Sequence, residues 1–345
     1  MKRVLYFFIF MTLVQSSSGQ ELLKFFINRR QNVVDSSLSD LIRVIEISQK
    51  GPYEFADYNH DQILVRSGTV DIDYNYDGEE EVTDYEFLLD GEITTYYPNS
   101  SKASLGNFKK NKKTGLFTEW YENDAIRAVI NYEVMGWTNQ RKKKLVDFYD
   151  STGVQLVTNG IGESYKVYDN GDYERGPIEE GRRHGEWTGY FYLNDQSYDF
   201  KELYDDGKLV SGYSYDTLDN IYKYDKKITR PYYKTGMRGF FDLLNSQLYY
   251  PKDARKQKIE GEVSIKFSID ENGYFENLEI QKSLFPSLDQ LLLQLVKKSG
   301  GDWTPGRYRG VVTSKFTQVI PVKFDLNGEF RMNGYKQFYY QKDDE

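Results

Sequence analysis

The chain has 345 residues, no cysteine and a formal net charge of −8. The missing thiols exclude disulfides and thiol chemistry, and an acidic chain lacks the clustered basic face that nucleic acid binding or a polybasic membrane contact requires. Its 31 tyrosines suit half-buried strands, ring on the sheet and hydroxyl in water, so a β-rich protein of two or more domains is expected.

The chain opens with Met1-Lys2-Arg3, an apolar run from Val4 to Val14, and Gln15-Ser16-Ser17-Ser18-Gly19. A basic start, a short apolar stretch and small residues form a secretory signal, here residues 1–19 with cleavage before Gln20. The run is short for a bilayer span of about 20 residues. The alternative is an uncleaved anchor, because Tyr6, Phe7, Phe8 and Phe10 make the run strongly hydrophobic. No cysteine follows for lipid attachment. Residues 20–60 form an unassigned N-terminal segment, in which 20–50 mix apolar and polar positions open to a short helix or strands.

From about Ile63 to Tyr224, short runs of Tyr, Phe, Val and Trp are broken by Gly, Asn and Asp, as in antiparallel hairpins. Early in this stretch, Asp73-x-Asn75-x-Asp77-Gly78 with Asp84 at the twelfth position has the form of a calcium loop. Glu80 stands where such loops carry an apolar residue, the last ligand is Asp instead of Glu, and the flanks look like strands. A solvated acidic turn is the favoured reading. Arg141-Lys142-Lys143-Lys144 is read as a solvated basic turn. His184 is an isolated histidine, and His60 is the only other one. Adjacent carboxylates such as Glu179-Glu180 point apart on a strand. No catalytic arrangement, cofactor motif or metal-ligand set stands out, so a non-enzymatic protein is expected.

A loose internal repeat runs through the same region. One copy has Gly106-Asn107-Phe108, Lys112-Lys113-Thr114-Gly115, Phe117, Trp120-Tyr121 and Asn123. A second has Gly176, Glu180-Gly181, Arg182-Arg183-His184-Gly185, Trp187, Tyr190 and Tyr192, and a partial third runs from Tyr204 through Gly207 to Gly212 and Tyr213. One hairpin cannot bury its own aromatic face, so neighbours stack into a ribbon. In the first copy Asn123-Asp124-Ala125 stands where a turn glycine is expected. The pattern resembles MORN-type repeats, which gives residues 61–225 as a MORN-like β repeat domain acting as a scaffold.

Residues 226–236, with Pro231, read as a linker. In 237–328, Phe240, Phe241, Leu244 and Leu248 recur at helical spacing and Pro251 stops that helix. Glu262–Asp270 alternates, Asn272-Gly273 turns the chain, and Tyr274–Gln281 returns. Pro286-Ser287 opens a second helix, with Ser287 and Gln290 at capping-box spacing. Lys315–Asp325 forms the third strand. The fold expected overall is α+β: a hairpin-repeat region, then a small three-stranded antiparallel sheet packed with two helices. A sheet of that size has two open edges, where an extended peptide can add as a strand. The polar tail, 329–345, is expected to be loose.

Taken in order, Tyr250-Pro251, Ala254-Arg255, Ile259-Glu260-Gly261, Asn272-Gly273 and Trp303-Thr304-Pro305-Gly306 resemble the C-terminal domain of TonB. The resemblance covers about 237–328 and implies a cell-envelope module that grips outer-membrane receptors by strand addition. It further implies partner contacts at Tyr249, Tyr250, Pro251 and along the last strand at Thr317, Val319, Pro321 and Lys323. Pro321 suits an edge, since proline cannot donate to a central ladder. Arg255, Gly261, Gly273, Trp303, Pro305 and Gly306 are expected to determine the fold. With only 8 prolines, the chain lacks the stiff linker of an energy transducer, and its apolar run has no histidine. The expectation is a periplasmic protein-binding module. The alternative is a membrane-anchored energy transducer that keeps its N-terminal helix.

Overall fold

Before residue 225, alternation of apolar and polar residues builds strand after strand, most of them antiparallel to the next. The computed structural model describes residues 12–15, 21–28, 36–46, 51–76, 82–135, 140–326 and 336–339. The chain divides into two units, one of Met1–Ser164 with Gly176–His184 and the other of Tyr165–Arg175 with Gly185–Glu345. Strands dominate and helices are few, so the class is α+β.

In the first unit, Glu21–Ile27, Leu41–Glu46, Tyr53–Tyr58, Leu64–Tyr76, Val82–Tyr96, Lys102–Lys109, Lys112–Trp120, Ile126–Met135 and Gln140–Tyr149 follow one another as a meander. Among its described residues, the stretch left open between helix and strand forms strands, with a 3-10 turn at Ser36–Leu38. Most of the expected signal segment lies outside the described residues, although Thr12–Gln15 pairs with Glu21–Lys24. Among the described residues no helix is long and apolar enough to cross a membrane. Arg141–Lys144 belongs to a strand, not a turn: it pairs with Lys144 opposite Asn131 and Arg141 opposite Val134. Its basic run is tolerated because Lys144 meets Glu133 at 3.4 Å on the sheet surface.

Phe25, Ile27, Ile45, Phe55, Val70, Phe87, Leu89 and Ile93 form the core of this unit. Each large apolar side chain buried there contributes about 1.5–3 kcal/mol. A charged group is buried beside them. Arg43, fully buried, lies 4.3 Å from the Phe55 ring centre and 5.0 Å from that of Phe87. Its Nε and Nη2 donate to the two carboxylate oxygens of buried Asp57 at 2.7 and 2.8 Å, and Arg66 Nε donates to Oδ2 at 2.8 Å.

Two devices recur along the array. In the first, a tyrosine hydroxyl in one turn donates to a backbone carbonyl of the next: Tyr97 to Trp120 and Tyr121 to Tyr149, both at 2.8 Å. Turn asparagines do the same, Asn99 to Glu122 and Asn123 to Ser151, both at 3.2 Å. Where a turn glycine is expected, Asp124 takes φ +63°, a conformation that Asp tolerates better than most residues. In the second device, a glycine sits under an aromatic ring of the neighbouring strand, as in the directly opposed pairs Gly106 and Phe117, Gly189 and Phe200, and Gly212 and Tyr224. A Cβ on Gly106 would lie 2.4 Å from the Phe117 ring, so the ring fills space that any side chain would take.

Besides Tyr165–Arg175, the second unit holds hairpins of the same kind: Gly185–Leu193, Gln196–Asp205, Lys208–Tyr215 and Ile221–Tyr224, paired in order. The expected linker, 226–236, is not a free connector. Ile228–Thr229 pairs with Arg307–Tyr308, and Tyr232–Tyr233 pairs with Trp303–Thr304. Helix α1, Gly236–Gln247, buries Phe240 and Leu244. It ends at Leu248, which is extended, and Pro251 then starts a short helix α2, Lys252–Lys256, that the sequence pattern did not reveal.

Helix α3, Pro286–Lys298, buries Leu288, Leu291, Leu292, Leu295 and Val296 against the strands' Val263, Ile265, Phe267, Ile320 and Val322. The capping box does not form. Pro286 fixes the helix start with Phe285 as its N-cap, two residues early, so Ser287 lies inside the first turn and donates to Asp253 at 2.9 Å. Asp289 instead reaches back, accepting from Ser283 Oγ at 2.6 Å and Leu284 N at 3.3 Å.

Candidate functional site

The small sheet of the second unit runs in the order Phe275–Lys282, Gly261–Ile269, Phe316–Phe324, Lys336–Tyr339. It therefore has four strands instead of three. The extra strand comes from the tail expected to be loose, and it covers part of the expected docking edge. Phe316, Thr317, Gln318 and Val319 face Tyr339, Phe338, Gln337 and Lys336 in antiparallel register.

Backbone direction follows from Pro321. It holds register with Ser264 inside an unbroken ladder from Gly261–Phe324 to Phe267–Gln318. A proline keeps its place there only if its nitrogen faces away from the inner strand. By the two-residue period of a strand, the N–H groups of Thr317, Val319 and Lys323 face the same outer side. Thr317 and Val319 are met by the tail strand. Among the described residues no strand pairs with the outer side of Pro321–Phe324.

The Tyr249-Tyr250-Pro251 segment lies at the uncovered end. Tyr250 is buried, its ring edge-on to Phe324 with centroids 6.2 Å apart, and its hydroxyl donates to the Ile259 carbonyl. Burial, then the nearby Glu260 and Asp325, push its pKa above the ordinary tyrosine value. Pro251 is buried too, whereas Tyr249 is 61 % exposed. The structure thus brings Tyr250 and Phe324 together and leaves Tyr249 beside them as the one of the three open to solvent. Lys323 is exposed, and Thr317, Val319 and Pro321 are half-buried.

The six residues expected to determine the fold have these places. Arg255 Cζ lies 5.6 Å from the Tyr250 ring centre. Gly261 starts the central strand at φ +150°. Gly273, at φ +83°, turns the chain, and a Cβ there would meet the Trp303 carbonyl oxygen at 2.3 Å. Trp303 is 2 % exposed and touches four rings, Tyr233, Phe240, Phe267 and Phe275, at 5.1–6.1 Å. Pro305 and Gly306 follow it, and a Cβ on Gly306 would lie 2.1 Å from the buried Phe316 ring.

The opposite edge strand, Phe275–Lys282, borders an open groove against α3 of about 470 Å³, lined by Phe275, Leu278, Leu293 and Lys297. Asn277, at φ +51°, puts a bulge in this strand where its register to Lys266–Ser268 shifts. A bulge bends an edge away from further pairing. The last strand is the smoother of the two edges.

Of the calcium-loop residues, Asp73 and Asn75 lie in Leu64–Tyr76 and Asp84 in Val82–Tyr96, with Asn75 directly opposite Asp84. Asp77 lies outside the described residues. The flanking elements are paired strands, as a hairpin requires, not the two helices of a calcium-binding hand. Among the described residues no cluster of potential metal ligands occurs.

Sequence reasoning missed Arg307–Tyr308 and Val311–Val312, a tight hairpin whose turn is Arg309-Gly310. Two-residue strands carry too little alternation to be seen. The pair X-Gly between short apolar runs is the signal that could have found them.

No curated protein matches the chain. Residues 246–326 match the family model described as Gram-negative bacterial TonB protein C-terminal. That family consists of non-enzymatic, transport-associated domains that interact with outer-membrane receptor proteins in the cell envelope. Residues 246–326, within the second unit, are therefore similar to a domain of TonB C-terminal type, a family of protein-interaction domains.

Proposed function

We propose that the chain is an exported periplasmic binding protein whose C-terminal domain captures an extended segment of an outer-membrane receptor, or of another envelope protein, by strand addition. The docking edge is the outer side of the last strand, through Thr317, Val319, Pro321 and Lys323, with Tyr249, Tyr250 and Pro251 at its uncovered end. The hairpin array, MORN-like in its turn glycines and aromatic strands, serves as scaffold. The signal segment 1–19 directs export.

One observation carries this reading: the outer side of the last strand already accepts a short antiparallel segment, Lys336–Tyr339, from the same chain. The edge is competent for strand addition, and a partner gains backbone hydrogen bonds there by replacing the tail or by extending along Pro321–Phe324.

The test uses a fluorescent peptide of residues 334–341, GYKQFYYQ, as the added strand. The chain truncated after Leu326 should bind it. The full chain should bind it at least about tenfold more weakly, because a tethered tail competes at an effective concentration near the millimolar range. Thr317→Pro with Val319→Pro, which removes two outward N–H donors, should abolish binding to the truncated chain while its circular dichroism is kept. Equal binding to the truncated chain and its proline variant would place the docking site elsewhere.

A further inference from the structure

The Arg309-Gly310 turn breaks a local preference. Its two residues take φ +46° and +81°, the pattern of a type I′ hairpin turn, where Asn or Asp normally precedes Gly. An arginine with positive φ is unusual, and its side chain explains its presence. The guanidinium is buried, with a side-chain exposure of 3 %. Nε donates to Glu202 Oε1 at 3.0 Å and Nη2 to Glu174 Oε2 at 2.9 Å, and the Cζ atom lies 3.5 Å from the centre of the Phe200 ring.

Glu202 lies in the hairpin strand Gln196–Asp205 and Glu174 in the strand Tyr173–Glu179, which pairs with Gly185–Leu193, and both carboxylates are fully buried. Each has further partners. Lys227 Nζ lies 3.2 Å from Glu174 and 3.4 Å from Glu202. Tyr168 donates to Glu174 at 2.7 Å, and Tyr204 and Tyr224 each donate to Glu202 at 2.9 Å. Two cations thus meet two anions, and the buried group is neutral as a whole. Burial by itself would lower the pKa of Arg309, but Tyr308, Glu202 and Glu174 outweigh it and raise it.

Backbone and apolar contacts surround this group. Arg309 N donates to the Lys227 carbonyl at 2.6 Å, Ser214 Oγ donates to the Arg309 carbonyl at 2.8 Å, and Asn194 Nδ2 donates to that of Val312 at 3.0 Å. Val311 is buried with Phe191, Leu193, Tyr198 and Phe200. Tyr308 stands edge-on to Phe191 with centroids 5.2 Å apart.

We infer that the last repeat strands, residues 165–175 and 185–224, and the C-terminal domain are locked into one body by the hairpin Arg307–Val312, with Arg309 as the key. Residues 226–236 are part of this lock and not a tether, so the docking edge keeps a fixed direction relative to the hairpins. A hydrophobic contact could hold the same surfaces in several registers. A forked guanidinium on two buried carboxylates accepts only one. This inference concerns how the domain is held, and it stands whatever partner the edge takes.

The absence of cysteine makes the test direct. Spin labels are placed at Lys201→Cys on a hairpin and Lys282→Cys on the domain, both more than half exposed, in the full chain. Pulsed electron paramagnetic resonance should give one narrow distance distribution, and Arg309→Met should broaden it. In the same variant, hydrogen exchange over 196–224 and 226–236 should quicken by about two orders of magnitude, the cost of unpairing a buried charge. Exchange in Gly261–Ile269 should stay slow.

A broad distribution in the labelled parent chain would overturn the lock. A narrow one in both chains would remove Arg309 as its key. Should Arg309→Met fail to fold, Lys227→Met, which removes only the partly exposed cation, is read by the same distance criterion. None of these outcomes involves peptide binding, so failure here leaves the docking proposal to its own test.

Discussion

In the first unit, two guanidinium groups share one buried carboxylate, and this sharing predicts an asymmetric response to mutation. Asp57 binds Arg43, which is fully buried, and Arg66, which is 17 % exposed. Asp57→Asn leaves two neighbouring cations around a neutral amide. Unpairing a buried charge in this way costs about 3–5 kcal/mol. Arg43→Met keeps most of the volume between Phe55 and Phe87 and leaves the Asp57–Arg66 pair in place. It gives up a cation–π contact worth about 0.5–2 kcal/mol but removes the need to desolvate a guanidinium, so its net cost should be within about 1 kcal/mol. The pKa of Arg43 agrees in direction: burial lowers it despite the hydrogen bonds to Asp57, and the positive charge of Arg66 lowers it further. Native-state hydrogen exchange of Tyr53–Tyr58, which isolates this unit from the other, is the assay. If Arg43→Met loosens that strand as much as Asp57→Asn does, the shared-carboxylate argument is wrong.

Other consequences concern the second unit and the titrating groups. Gly306→Ala should cost about 1–3 kcal/mol in thermal unfolding, because its Cβ meets a buried Phe316 ring that has no room to turn. Among the described residues the buried Trp303 Nε1 has no acceptor. Trp303→Phe should therefore lose no more than about 1 kcal/mol, since it removes an unsatisfied donor, whereas Trp303→Ala should lose about 3–5 kcal/mol; urea unfolding of the two variants compares them. Tyr132 and Tyr308 are both pushed up to about 12, in each case mainly by burial. An acid whose folded pKa is raised adds stability that is complete below its unfolded value near 10 and is lost as pH climbs through about 12. Spectrophotometric titration should accordingly show a late tyrosinate step that coincides with loss of circular dichroism. The Asp216 carboxylate is held below its ordinary value, chiefly by the Asn220 side chain. Its turn should keep its amide shifts down to pH 4 and lose them as pH falls through that lowered pKa, which nuclear magnetic resonance can follow.

What the sequence made legible follows from pattern length. The long alternating runs, such as Val263, Ile265, Phe267 and Ile269, and the leucine stripe of α3 were visible because one face of each is buried without interruption. The turn signals also read correctly at Asn272-Gly273, where Asp270 accepts from the backbone N–H groups of Asn272 and Tyr274, both at 2.8 Å. Three features stayed hidden. The tail strand has only Lys-Gln-Phe-Tyr to show, and its partner is set by a sheet edge, not by its own pattern. The Arg307–Val312 hairpin is too short for periodicity. The pairings of Arg309 with Glu174 and Glu202 join residues 135 and 107 positions apart, a distance no local signal spans.

The turn ladder of the first unit has a polarity with a consequence for synthesis. Tyr97 and Asn99 donate to carbonyls 23 residues further on, and Tyr121 and Asn123 to carbonyls 28 further on. In each of these pairs the donor belongs to the earlier turn. A chain leaving the ribosome therefore exposes, at its growing end, hydroxyl and amide donors whose acceptors have not yet been made. Each turn is completed by its successor, so the array closes in the direction of translation, and a pause leaves the newest turn as the unfinished one.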